Sequence, residues 1–154
     1  MMEFYPVLVG IHNILRWVVV VAGVAAIAGA WQGVISGREW GKGDRLRSVA
    51  LVASLHLQLL LGLILYVQSP LVQVAFDDPG AAMGERALRY FFVEHITMMI
   101  LAVVVIQVGS IMAKKGDDDH KKHKRGAIFY TVGFAILMAG LHFVWMERAM
   151  WPSF

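Results

Sequence analysis

Apolar residues fall in four long blocks along this chain, and the breaks between them carry Gly, Pro, Asp and basic clusters. The blocks cover residues 6–35, 46–68, 88–112 and 127–146. A bilayer core of roughly 30 Å takes about 20 mostly apolar residues in a helix, and each block meets that length. The breaks read SGREWGKGDR, SPLVQVAFDDPGAAMGER and KKGDDDHKKHKRG, compositions that end helices and solvate the backbone. Small residues recur as Gly23, Ala26 and Ala30 in the first block and as Gly133 and Gly140 in the fourth, positions where helices can approach closely in lipid. The pattern predicts an all-α fold: one membrane-spanning, up-down four-helix bundle over residues 1–154.

Composition strengthens this reading. Of 154 residues, 58% are hydrophobic and 16% charged, whereas soluble domains average about 45–50% and about 25%. The net charge of +3 is unevenly placed. The first break and its flanks hold Arg38, Lys42, Arg45 and Arg47; the third holds Lys114, Lys115, Lys121, Lys122, Lys124 and Arg125. The other side has only Arg86, Arg89 and Arg148. The positive-inside rule then puts the first and third breaks in the cytoplasm and both termini outside, as expected of a multi-pass protein of a bacterial inner membrane. The leader MMEFYP lacks a basic region and carries Glu3, so the first block is not expected to be a cleaved signal peptide. The basic third break is read as a topology signal that attracts anionic lipid, not as a nucleic-acid site.

The absence of cysteine removes disulfides, iron–sulfur clusters, thiolate zinc sites and covalent c-type haem. No serine–histidine motif, P-loop or dinucleotide fingerprint is present, which disfavours a hydrolase or transferase. What stands out is histidine. Four of the six lie within the apolar blocks, one on each: His12, His56, His95 and His142. Ionisable residues inside a span are costly and usually mark a site, a pathway or an interior contact. His120 and His123 lie in the basic third break, where solvation is expected.

At about 1.5 Å per residue, His95 and His142 fall about 8 Å outward of the midplane, His12 about 12 Å outward and His56 near the middle. Two imidazoles at similar depth on different helices suit a haem iron, and this set offers several pairs. Arg16 follows His12 by four residues on one helix face, where a guanidinium can hold a haem propionate. Glu94, beside His95, is a candidate to neutralise Arg16. Gly62 would let a flat macrocycle approach the backbone of the second helix. The aromatics at the block ends, Tyr90 to Phe92 among them, read as an interfacial belt.

The stretches HNILRW, SLHLQLLLGLILY, FFVEHITMMILAVVVIQVG and KHKRGAIFY resemble small four-span membrane proteins of Bacteroidota-type bacteria labelled cytochrome b-like. HN-x-x-RW and VEH are the most specific parts of that resemblance, which covers nearly the whole chain. It implies a b-type haem and an electron-transfer role, with His12, Arg16, Trp17, His56, Glu94 and His95 matching the pattern. His142 departs from it, although its depth matches His95 best.

The expected function is that of a haem b-binding membrane protein passing electrons between quinol and a respiratory partner or complex, with iron held by two of His12, His56, His95 and His142. Two alternatives stay open. One is a haem-free accessory subunit whose histidines make interhelical hydrogen bonds. The other is a metal carrier using His95 with Met99 and His142 with Met146, pairs that share a helix face at four-residue spacing.

Overall fold

The computed structural model describes residues 4–141. Among these residues the chain is all helical. Helix α1 (Phe4–Ser36) and helix α2 (Lys42–Gln68) form the first hairpin. Three short helices follow: α3 (Pro70–Asp77), α4 (Pro79–Gly84) and α5 (Arg86–Arg89). A five-residue π-helical turn, Tyr90–Glu94, leads into α6 (His95–Lys114), and α7 (Asp119–Gly140) completes the described bundle.

Three helical stretches are long and apolar enough to cross a bilayer: Phe4–Ser36, Lys42–Gln68 and Arg86–Lys114. The fourth expected span, at 127–146, begins inside α7, and its last five residues lie outside those described. Three boundaries differ from the hydrophobic pattern. Asp44 accepts a bond from the Gly41 amide at 3.0 Å, so α2 starts four residues earlier than the apolar block. Asp118 accepts from the Lys121 amide at 2.7 Å, so α7 starts within the basic stretch, leaving only 115–118 between α6 and α7. The second break, expected as loop, coils into α3, α4 and α5, because Pro70 and Pro79 sit in the first turns of the first two.

The Lys121 backbone N–H, followed by the Lys121 ammonium, holds the Asp118 carboxyl below the ordinary carboxylate range. A carboxyl depressed in the folded chain stabilises it above the ordinary pKa, and that support is lost as pH falls through the lowered value. Asp118→Ala is therefore expected to fray the first turn of α7 at neutral pH and to change nothing in strong acid. Amide exchange of residues 119–122 at the two pH values checks this.

Large apolar side chains cover much of the outside of the long helices. Ile14, Val18, Val21 and Val24 of α1 face outward at 50–66% exposure. Leu57, Leu60 and Val67 of α2 and Leu101 and Val104 of α6 do the same. The buried positions hold small and polar groups, among them Ala26, Ala30, Ser48, Ser110 and Arg16, beside larger apolar ones such as Leu51 and Ile106. An apolar exterior around a small, hydrogen-bonded interior is what a hydrocarbon solvent selects. Gly133 shows how tightly α6 and α7 meet: a Cβ there would lie 3.3 Å from the Ala102 carbonyl oxygen and inside the Ile106 side chain.

The half of the bundle nearer the α1–α2 and α6–α7 connections is tied by a buried hydroxyl triad. Ser48 Oγ lies 2.7 Å from Tyr130 Oη and 2.9 Å from Ser110 Oγ, joining α2, α6 and α7. Below it, Asp44 takes a bidentate bond from Arg38 (2.5 and 2.6 Å) and a bond from Arg47 at 3.1 Å. Tyr130→Phe removes one hydroxyl and leaves Ser48 with Ser110. The expected cost is about 1 kcal/mol, read as a small drop in the thermal midpoint of the detergent-solubilised protein.

His123 corrects the sequence expectation. It is fully buried, while His120 is exposed as expected. Once α7 starts at Asp119, position 123 faces inward one turn later, and its ring packs over Gly33 of α1 and 5.0 Å from the Trp40 ring. Both ring nitrogens of His123 are buried without a hydrogen-bond partner.

Candidate functional site

The half of the bundle remote from the α1–α2 and α6–α7 connections encloses a cavity of about 170 Å³. Helix α1 contributes His12, Asn13 and Arg16, and α2 contributes Gln58 and Gly62. The α6 side supplies Phe91, His95 and Met99, and α7 supplies Leu137 and Leu141. Val72 of α3 also lines it and is 2% exposed, so the short helix covers the cavity rather than lying free as a loop. Val19, Leu51, Ala102 and Ile106, each 1% exposed or less, belong to the buried core cluster of the bundle, and Val19 also lines the cavity.

Of the four candidate histidines, the cavity brings together His12 and His95. His56 lies on the exposed face of α2, outside the cavity. His142, with Met146, falls outside the described residues. Arg16 lines the cavity as its position beside His12 suggested; it is 6% exposed, with its guanidinium carbon 5.9 Å from the Trp17 ring centre. Glu94 is engaged locally, accepting from Arg89 Nε at 2.7 Å. The group that approaches Gly62 is the His12 ring, whose Cε1 lies 3.2 Å from where a Cβ would stand.

The π-helical turn sets up His95. Its wider winding closes a bond from the His95 amide to the Tyr90 carbonyl, five residues back. That register brings Tyr90 Oη within 3.1 Å of His95 Nδ1, and both reach the Gly140 carbonyl oxygen, Tyr90 at 2.5 Å and His95 at 3.2 Å. Protons can be assigned from this triangle. A carbonyl only accepts, so Tyr90 donates to Gly140, and Nδ1 of His95 must carry the proton that faces both oxygens. In the neutral imidazole, Nε2 then holds a free lone pair, the form that ligates a metal. Tyr90 is 1% exposed, a buried positioning group rather than a member of the aromatic belt the sequence suggested.

His12 is held differently. Gln58 Nε2 lies 3.1 Å from the His12 backbone oxygen and 3.2 Å from its Nε2. The backbone oxygen requires the amide nitrogen of Gln58 to face it, and the same nitrogen then donates to His12 Nε2. The ring proton therefore sits on Nδ1, which is buried without a partner, as is Gln58 Oε1.

Sequence reasoning missed Gln58, Tyr90 and the Gly140 carbonyl. Gln58 is a polar residue within an apolar block and carried a readable signal; the other two act through a π-helical register and a backbone atom, which leave no trace in residue type. Among the described residues no group of three or more His, Asp or Glu is placed to hold a metal ion. The chain matches no family model, no curated protein and no solved structure.

Proposed function

We propose that this chain is a membrane electron-transfer protein that holds b-type haem in the cavity lined by His12, Arg16 and His95, with His95 as an axial ligand. The observation that carries the reading is the His95 triangle: Nδ1 is tied to Gly140 and Tyr90, which leaves Nε2 as a ligand on a wall of the cavity. That donor chemistry fits the group. A ligating histidine characteristically donates its other ring N–H to a carbonyl or similar acceptor. Arg16, buried in the same wall, offers a guanidinium for a propionate. A second imidazole, from His12 in the same wall or from His142, would complete the pair, and iron so held would supply one-electron redox chemistry. The electrons would pass between quinol and a respiratory partner in a bacterial inner membrane.

A reduced-minus-oxidised spectrum of the purified protein tests this directly: b-type bands are expected, and their absence from protein supplied with haem would refute the reading. In the haem-loaded protein, Arg16→Ala is expected to lower the midpoint potential by tens of millivolts, because a buried positive charge favours the reduced form. A redox titration checks the sign. For sidedness, a reporter inserted near Asp118 is expected in the cytoplasm and one fused after Phe154 outside, given ten basic residues on the inner breaks and flanks.

A further inference from the structure

We propose that the outward face of α2 is the interface of a homodimer, in which His56 of one copy is hydrogen-bonded to the partner's His56. Helix α2 runs from Lys42 to Gln68, so by the helical rise His56 lies about 21 Å from one end and about 18 Å from the other, in the middle of a span. It is exposed on the outside of the bundle, away from the cavity, and makes no hydrogen bond to any described residue. Near mid-span the outward faces of α1 and α6 are apolar instead, with Val18, Val21, Leu101 and Val104. An ionisable side chain at the bilayer centre ordinarily faces a protein interior or pairs with another polar group, because hydrocarbon offers nothing to its N–H and lone pair. His56 therefore marks this face of α2 as one that another polypeptide covers.

The identity of that polypeptide follows from the pattern around His56. Leu46, Val49, Ala53, His56 and Leu60 are all exposed and alternate in steps of three and four residues, with Val67 two turns further on, so they form one seam along the helix. Copies of one chain insert with one orientation, so two of them meet about a two-fold axis along the bilayer normal, and α2 packs parallel to its counterpart. Each seam position then opposes itself at equal depth, which sets His56 against the partner's His56. A neutral imidazole carries one N–H and one bare nitrogen, so two such rings complement each other: the N–H of one donates to the lone pair of the other. The small side chain of Ala53 next to the pair lets the two backbones approach. A single polar residue within an apolar seam is a known device for fixing register and partner.

The chain has no cysteine, so single introduced thiols report this contact without background. Ala53→Cys and Leu60→Cys, which leave His56 in place, are reconstituted as full-length protein in phosphatidylcholine vesicles at high lipid excess and oxidised with copper phenanthroline. Both are expected to give a disulfide-linked dimer, and Val21→Cys on the outward face of α1 is expected to stay monomeric. Adding His56→Leu to Leu60→Cys should slow crosslinking about fivefold, the worth of one interhelical hydrogen bond in a bilayer. His56→Asn, whose amide also pairs with its own copy, should keep the rate. Monomer throughout, crosslinking as fast at position 21 as on α2, or an unchanged rate with His56→Leu would overturn the proposal. A Leu60→Cys adduct with a different protein in native membranes, with no dimer in vesicles, would give the face to another subunit and overturn it too. Should His56→Leu not fold, the contrast of positions 53 and 60 with position 21 decides the matter.

Discussion

His95→Ala protein is expected to purify without b-type bands, the largest functional effect of any single substitution in this chain. The alanine removes the imidazole whose Nε2 is the proposed ligand, and it also leaves Tyr90 and Gly140 with no ring to position. A second histidine alone would hold the cofactor poorly, because coordination at one face no longer offsets the cost of ordering the macrocycle. Tyr90→Phe separates the two roles. It keeps the imidazole and the Gly140 acceptor but removes the hydroxyl, so the bands should persist while the midpoint potential moves, second-shell hydrogen bonds being one lever on ligand basicity. An unchanged spectrum in His95→Ala would show that iron is bound elsewhere.

The second large effect concerns the fold. Gly133→Leu is expected to destabilise the bundle by about 3 kcal/mol or more, beyond the ordinary cost of overpacking. The added carbon would meet Ile106 and, at 3.3 Å, the backbone oxygen of Ala102, which no rotamer change can move. Helices α6 and α7 would have to separate, and the Ser48–Ser110–Tyr130 triad spans that interface. Gly41→Ala is the control: it lies in extended backbone before α2, and a Cβ there meets nothing within 4 Å. Thermal unfolding in one detergent should show a large drop for the first and almost none for the second.

The all-helical character and three of the apolar spans were legible in the sequence, since they depend on residue type summed over some twenty positions. So was the pairing of His12 with Arg16 on one face, which follows from the helical period alone. Helix ends were less legible. Capping by Asp44 and Asp118 extends α2 and α7 beyond their apolar blocks, and a side chain–backbone bond does not register in hydropathy.

The choice between His56 and Gln58 was decided by tertiary structure. Two residues apart on a helix, they sit roughly 200° apart around its axis, so α2 can turn only one of them toward the bundle. It turns Gln58 inward to reach His12 and leaves His56 on the outer face. Position 123 was settled in the same way, by the space Gly33 leaves on a neighbouring helix. The π-helical turn, finally, set Tyr90 against His95 at a five-residue spacing no regular α-helix provides. The sequence determined which segments are long apolar helices and which polar residues lie within them. Only packing determined which of those residues meet, because rotation about each helix axis is set by its neighbours and not by its own composition.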